Sequence, residues 1–162
     1  RPTPDRVRET LFNWLGQDLS GRQCIDAFAG TGALGFEAAS RGAARVRLVE
    51  QDGALVAQLK VVQLKLQASA TQIERGDGIA ALRRLAPGSM DVVFLDPPFD
   101  ADLFEAALQA AARAVTPTGY VYLEAPAAWT DDRLVRLGLA LHRHLKAGAV
   151  HAHLLKPLAI AV

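Results

Sequence analysis

The chain has 162 residues and a formal net charge of +1, from 18 Lys and Arg against 17 Asp and Glu. This length predicts a single domain over residues 1–162 with a sizeable core. With 51% hydrophobic and 22% charged residues, the composition indicates a soluble globular protein, and no apolar run is long enough to span a bilayer. The single cysteine, Cys24, excludes an internal disulfide framework and predicts a reducing, cytoplasmic compartment.

The first fifteen residues, "RPTPDRVRETLFNWL", predict a helix. Thr3 is a suitable N-cap, and Pro4 suits the first helical position because its missing N–H is not needed there. The apolar residues of this segment recur at helical spacing and form one stripe: Val7, Leu11, Phe12 and Leu15.

Strand and helix patterns then alternate along the chain. Strands are predicted at 23–30, 44–52, 71–78, 90–99 and 119–126, and helices at 33–42, 54–68, 79–88 and 101–115. Such alternation predicts an α/β fold with a mostly parallel, doubly wound sheet covered on both faces. Residues 137–157 instead predict two alternating strands around a turn at Ala147-Gly148, which form an antiparallel hairpin on the sheet edge and bring the total to about seven strands.

The segment "DAFAGTGALGFE" follows the first predicted strand and opens the next helix. Gly30, Gly32 and Gly35 match G-x-G-x-x-G, which on its own is a weak indication shared with NAD-binding folds. Glycines in such a loop let the backbone approach a ligand closely, and ligands of open α/β sheets bind beyond the carboxyl ends of the strands. The loop therefore predicts a ligand site at this edge.

Acids at three strand ends indicate which ligand this is. Glu50, which ends the second strand, is placed to accept hydrogen bonds from both hydroxyls of a ribose, and Asp77, after the third strand, is placed to reach an adenine amino group. Asp26, four residues before Gly30, is unfavourable beside a pyrophosphate but favourable beside the ammonium of an amino-acid moiety. Glu50 and Asp77 thus predict an adenosine-containing ligand without specifying which one, and Asp26 favours S-adenosylmethionine over NAD.

The stretch "VVFLDPPFD", residues 92–100, ends a core strand with an acid, two prolines and an aromatic ring. The prolines stop the strand and stiffen the elbow. The Asp96 carboxylate and the Pro97 carbonyl can accept the two N–H groups of an exocyclic amino group, where charge would develop during methylation. Phe99 offers a face on which an unstacked base can lie.

These motifs together resemble the bacterial small-subunit ribosomal RNA guanine-N2 methyltransferase family. D-P-P-F is similar to the [N/D/S]-P-P-[Y/F/W] motif of amino methyltransferases that use S-adenosylmethionine, and the opening R-P-T-x-D-x-V-R-E is the most specific match. The resemblance covers nearly all 162 residues and implies a Rossmann-like class I methyltransferase domain. Members usually carry a basic segment before this opening, and that segment is absent from the present chain.

The resemblance also implies site residues and partners. The catalytic elbow would be Asp96, Pro97, Pro98 and Phe99. The residues that bind S-adenosyl-L-methionine would be Arg6 and Thr10 on the first helix with Asp26, Phe28, Ala29, Gly30, Thr31, Gly32, Glu50, Gln51, Asp77, Gly78 and Asp96. The substrate would be ribosomal RNA, within the small subunit or an assembly intermediate, and the protein would act as a cytoplasmic monomer without a membrane partner.

The charge of the chain is unevenly distributed. Residues 1–132 carry 13 Lys and Arg against 17 Asp and Glu, whereas residues 133–162 carry five cations, no acid and all four histidines. A one-sided basic surface suits a polyanion, and a basic edge strand also deters aggregation; both interpretations remain open. The pairs His142/His144 and His151/His153 are expected to be solvent-facing edge residues rather than metal ligands, since no cysteine or carboxylate accompanies them.

Three alternative functions share part of these motifs. A DNA methyltransferase acting on adenine N6 or cytosine N4 has both motifs but usually needs a separate target-recognition region, and the same chemistry could act on another RNA. An NAD oxidoreductase shares the glycines but leaves D-P-P-F unexplained. A non-catalytic RNA-binding module would be indicated by loss of Asp96 or of the glycine loop, and both are intact.

Overall fold

The computed structural model describes residues 3–158, so that Arg1 and Pro2 of the opening motif lie outside the described residues. The helices are α1 (Asp5–Trp14), α2 (Ala33–Ser40), α3 (Gly53–Leu66), α4 (Gly78–Arg84), α5 (Phe104–Ala114) and α6 (Asp131–Val135). The strands are β1 (Gln23–Asp26), β2 (Arg45–Glu50), β3 (Thr71–Arg75), β4 (Met90–Leu95), β5 (Val115–Ala125), β6 (Leu139–Ala147) and β7 (Val150–Pro157).

The seven strands form one sheet in the order β3-β2-β1-β4-β5-β7-β6. The first five strands pair in parallel, and β7 is antiparallel to both β5 and β6. The predicted α/β class, strand number and C-terminal hairpin are therefore confirmed. From β1 the chain adds β2 and β3 on one side, and it then returns to add β4 and β5 on the other side. This reversal of strand order between β1 and β4 creates a crevice at the carboxyl ends of the strands.

Each face of the sheet has its own apolar cluster, because side chains of a strand alternate between the two faces. Val92 and Phe94 of β4 pack with α1, α2 and α3 on one face. Val93 and Leu95 pack with α4, α5 and α6 on the other. The near-continuous apolar strands seen in the sequence are thus buried on both faces, as a doubly wound sheet requires.

Several boundaries differ from those predicted. The helix α1 begins one residue later than expected: Pro4 is its N-cap and makes no side-chain capping bond. Thr3 is wrong as the N-cap, because its hydroxyl instead donates to Glu124 Oε2 at 2.7 Å. The hairpin turn is Gly148-Ala149 rather than Ala147-Gly148, since Ala147 still pairs with Val150 and Gly148 supplies the positive φ (60°) that the turn needs.

Two further differences concern the start of β5 and the presence of α6. β5 begins at Val115, four residues before the predicted start, and α6 has no predicted counterpart. Among the helices of the described residues 3–158, none is long and apolar enough to cross a membrane.

Candidate active site

Two adjoining clefts open at the carboxyl edge of the sheet. The larger has a volume of about 410 Å³ and the smaller about 160 Å³. Phe28, Gly30 and Asp96 line both clefts and form the wall between them. Predicted site residues that line only the larger cleft are Glu50, Gln51, Asp77, Gly78, Pro97, Pro98 and Phe99, and those that line only the smaller are Asp26, Ala29 and Thr31.

Glu50 holds the glycine loop in place. Its Oε1 accepts the Gly30 N–H at 2.9 Å, and its Oε2 accepts the Asp52 N–H at 2.8 Å. Each carboxylate oxygen can accept more than one hydrogen bond, so that Glu50 can fix the loop and still accept bonds from two hydroxyls in the larger cleft. Gly30 itself has a φ of 56°, which a residue with a side chain rarely adopts.

Asp26 is buried beneath the loop, 2% exposed. Its Oδ2 accepts the Gly35 N–H of the first turn of α2 at 3.1 Å. Burial and then the negative charge of Asp96 raise the pKa of Asp26 to about 7, with smaller raising effects from Glu124 and Glu50 and a lowering effect from the Gly35 hydrogen bond. A cation in the smaller cleft would meet a carboxyl group that is poised to ionise.

Asp77 and Gly78 bring the start of α4 against the sheet. Asp77 is the N-cap of α4, and its carboxylate accepts the Ile79 N–H at 3.1 Å. At Gly78 a Cβ would lie 2.0 Å from the Ala27 backbone oxygen, so only glycine fits. The two residues thus have a structural task in addition to lining the larger cleft.

The D-P-P-F elbow begins directly after β4, which ends at Leu95. Pro97 is buried and Pro98 exposed, while Phe99 is half-buried with its ring centroid 6.5 Å from that of Phe104. Asp96 lies on the wall shared by the two clefts, so a group bound in either one is close to this carboxylate. Pro97, Pro98 and Phe99 of the elbow therefore line the larger cleft, and Asp96 lines both clefts.

Sequence reasoning missed eight lining residues: Ala27, Val49, Gly76 and Leu103 of the larger cleft and Thr3, Ala33, Leu34 and Leu55 of the smaller. Thr3 lines the smaller cleft with Asp26 and Asp96, and its bond to the fully buried Glu124 on β5 joins the chain start to the sheet. The position of Thr3 within the opening motif was the one signal for it. Nothing in the sequence indicated that Glu124 would contact Thr3, because 121 residues separate the two partners.

Three predicted residues do not line either cleft. Arg6 is exposed on α1, and the Thr10 hydroxyl donates to the Arg6 carbonyl of the same helix at 2.9 Å. Gly32 is the N-cap of α2 with a φ of 82°, and a Cβ there would lie 2.5 Å from the Phe36 ring. Gly32 therefore shapes the loop rather than the cleft surface.

The four histidines are not all solvent-facing. His153 is fully buried. Its Nε2 accepts the backbone N–H of Trp129 at 3.0 Å, and its Nδ1 donates to the Leu123 carbonyl at 3.1 Å. His144 and His151 share a 2.9 Å hydrogen bond between ring nitrogens. The expectation of four edge histidines is wrong for His153, because antiparallel pairing with β5 places β7 inside the sheet rather than at its edge.

The fold and the clefts define the class of this protein: a Rossmann-like domain with the class I methyltransferase fold. A solved structure of an inferred methyltransferase from Escherichia coli superposes with a TM-score of 0.85 at 36% identity, covering 99% of this chain and 89% of that chain. The family model described as Conserved hypothetical protein 95 matches residues 1–156, and the chain belongs to that family. The family resemblance inferred from the motifs is thereby confirmed.

Relatives of this chain carry names that state an activity. The Ribosomal RNA small subunit methyltransferase D of Escherichia coli is 45% identical over 105 residues, which are 65% of this chain and 52% of the relative. The protein of that name from Haemophilus influenzae is 41% identical over 129 residues, 76% of this chain and 67% of the relative. The chain thus spans about half the length of the Escherichia coli relative it matches.

Proposed function

We propose that the protein transfers a methyl group from S-adenosyl-L-methionine to the exocyclic N2 amino group of a guanine in small-subunit (16S) ribosomal RNA. The observation that carries this proposal is the D-P-P-F elbow on the wall between two clefts, with Asp96 common to both. The names of relatives 45% and 41% identical to the chain support the ribosomal RNA substrate.

The charges around the clefts fit this cofactor. Asp26, Glu50, Asp77 and Asp96 line the two spaces, and the pKa of Asp26 is raised by burial and by its acidic neighbours. A ligand with a sulfonium and an ammonium would relieve this repulsion, whereas a pyrophosphate would increase it. When bound, the cofactor supplies an electrophilic methyl group. Glu50 would hold its ribose, Asp77 its adenine and Asp26 its ammonium.

The elbow would orient the target amino group. The amino nitrogen of guanine is a weak nucleophile because its lone pair is delocalised into the ring. The Asp96 carboxylate and the Pro97 carbonyl would accept its two N–H groups and favour a tetrahedral nitrogen, and the carboxylate would stabilise positive charge as it develops there. Phe99 would stack on the base after it leaves its own stack.

The C-terminal hairpin is proposed to contact RNA phosphates. The first residues of β7 pair with the end of β5, His151 with Ala125 and Ala152 with Glu124, so the hairpin tip lies at the same sheet edge as the clefts. Phosphate contacts position the protein without specifying a sequence, and recognition would rest on the shape of a folded RNA or assembly intermediate that presents one guanine. We propose that the protein acts in the cytoplasm as a monomer.

Methyl transfer to small subunits tests this function. The substrate is the small ribosomal subunit from an Escherichia coli strain that lacks its own relative of this protein, and the donor is methyl-labelled cofactor. Nucleoside analysis should find the label in N2-methylguanosine. The Asp96→Ala variant should lower turnover by at least about 100-fold, because it removes a group placed against charge that develops in the transition state, while cofactor affinity changes much less.

Asp100→Ala is the matched control, since Asp100 is exposed and lies just beyond the elbow. It should keep wild-type turnover. Label in a methylated adenine or cytosine would show that this base, and not guanine, is the target. An Asp96→Ala variant that keeps most of the wild-type turnover would show that Asp96 takes no part in the chemistry.

A further inference from the structure

A row of aromatic side chains runs from the elbow to α6. The ring centroids of Phe99 and Phe104 lie 6.5 Å apart, and those of Phe104 and Trp129 lie 6.3 Å apart. The guanidinium carbon of Arg133 lies 3.7 Å from the centroid of the Trp129 ring. The row therefore connects the proposed target site to a cation stacked on an indole.

The sheet holds the end of this row in place. The backbone N–H of Trp129 donates to His153 Nε2, and His153 Nδ1 donates to the Leu123 carbonyl of β5. Trp129 is 8% exposed, whereas Arg133 is exposed. The Trp129 backbone is thus tied to the sheet, the indole packs in the apolar cluster with Leu134, and the guanidinium of the exposed Arg133 lies over the ring.

Acidic neighbours do not neutralise Arg133 by direct pairing. Within residues 3–158, none of the salt bridges involves Arg133. The Asp131 carboxylate accepts the Leu141 N–H at 2.9 Å. The pKa of Asp132 is lowered mainly by a hydrogen bond from the Thr130 side chain, with smaller contributions from Arg136 and Arg133. Glu105 lines the same small hollow as Arg133 and Arg136, without forming a salt bridge.

We propose that Arg133, stacked on Trp129, is a docking point for a nucleotide that flanks the target guanine, whose base stacks on the outer face of the guanidinium. This inference rests on the proposed function. Guanidinium planes and aromatic rings are the usual stacking platforms for unpaired bases. A base flipped into the cleft leaves its neighbours unstacked, and the aromatic row places this platform on the same surface as the elbow.

The adjoining face of the hairpin carries Lys146, whose charge would contact the phosphates of the same RNA strand. His144 and Lys146 pair with His153 and His151 in the hairpin register, and the His144 and His153 rings lie 5.1 Å apart, so this face continues the surface around Trp129. Arg143 is opposite Leu154, on the other face of the hairpin. The flanking RNA would therefore lie on the face that carries Lys146.

Binding of a short single-stranded oligoadenylate at low salt tests the platform separately from catalysis. The chain has two tryptophans, so in a Trp14→Phe background Trp129 is the single fluorescent indole. The oligonucleotide should change Trp129 emission in a saturable manner. Arg133→Ala should weaken binding at least about fivefold. Arg133→Lys should weaken it nearly as much, because lysine retains the charge but has no plane on which a base can stack.

Arg45→Ala is the matched control, because Arg45 is exposed and begins β2, at the end of the sheet opposite the clefts, and it should bind as the parent protein does. Wild-type affinity in Arg133→Ala would overturn the docking point, and wild-type affinity in Arg133→Lys would overturn stacking in favour of a simple charge. If the oligonucleotide binds as expected but small subunits are not methylated, the proposed function fails and the docking point stands.

Discussion

Asp26 accepts the Gly35 N–H beneath the glycine loop and lines the smaller cleft. Burial, together with the charges of Asp96, Glu124 and Glu50, raises the pKa of its carboxyl group to about 7. The protonated form is therefore substantially populated near neutral pH when no cation is present. A bound ammonium would favour the carboxylate, so cofactor binding and release of this proton should be linked.

We predict that the affinity for S-adenosyl-L-methionine falls about tenfold between pH 8 and pH 6. With a pKa of about 7, the carboxyl group is mostly ionised at pH 8 and mostly protonated at pH 6, and only the ionised form pairs with the cation. Calorimetry at both pH values, in buffers of different ionisation enthalpy, measures the affinity and the protons released.

The Asp26→Asn variant separates this titration from other groups. It lacks the titrating carboxyl and should bind the cofactor weakly, with little difference between the two pH values. Equal wild-type affinities at pH 6 and pH 8 would exclude Asp26 as the group that pairs with the cofactor ammonium.

Positions at strand ends made much of the site predictable from the sequence. Glu50 ends a recognisable strand and Asp96 follows another. Parallel strands bring their carboxyl ends to one edge, and both residues line the larger cleft there. The Thr3–Glu124 bond could not be predicted, because it depends on where two distant segments meet in the folded chain. Likewise, no pattern in the sequence shows that Glu50 also fixes the loop through the Gly30 N–H.

At the level of elements, His153 joins three parts of the fold. Its ring connects the backbone of Leu123 in β5 to that of Trp129, and it does so from β7. Nδ1 donates and Nε2 accepts, so the ring must be neutral to make both bonds. Burial lowers the pKa of His153 to about 4, with smaller lowering effects from His144 and His151 and opposing effects from hydrogen bonds to Leu123 and His151.

We predict that His153→Asn destabilises the protein at pH 7.5 by about 1–3 kcal/mol, since a buried backbone group loses its partner. The difference from wild type should shrink by about 2 kcal/mol at pH 5. Between the unfolded pKa near 6.5 and the folded pKa of about 4, the unfolded wild type binds a proton that the folded wild type does not, so the His153 contribution declines as pH falls.

Urea unfolding of both proteins at the two pH values measures this difference. His142→Asn, at an exposed position of the same hairpin, is the control and should show a much smaller change. A destabilisation by His153→Asn that is the same at pH 7.5 and pH 5 would mean that His153 is not held neutral in the fold.

The order of elements followed from the hydrophobic pattern, whereas their ends did not. Loops such as 27–30 and 96–99 continue the strand composition, so the predicted strands ran past their observed ends at Asp26 and Leu95. The five-residue helix α6 is too short to show a helical period. The burial of His153 depends on β7 lying between β5 and β6, which an alternating polar pattern alone does not reveal.

Across the whole molecule, the excess of positive charge lies in the last 30 residues, which carry five cations and no acid. The hairpin register divides these cations between two faces. Arg143 lies opposite Leu154 on the face toward α1, and Lys146 lies opposite His151 at the edge that carries the clefts. If the tail contacts RNA, the two residues should contribute unequally.

We predict that reversing both charges, with Arg143→Glu and Lys146→Glu together, weakens binding to small ribosomal subunits and flattens its dependence on salt. Each phosphate contact that is lost should reduce the slope of log affinity against log salt concentration by about 0.7–0.9. Of the single variants, Lys146→Glu should account for most of the change, because it is nearer the cleft edge. Affinity for S-adenosyl-L-methionine, measured in parallel, should stay unchanged. If the basic edge only deters aggregation, the double variant and the wild type will share one salt slope, and the RNA-facing surface must then be sought elsewhere.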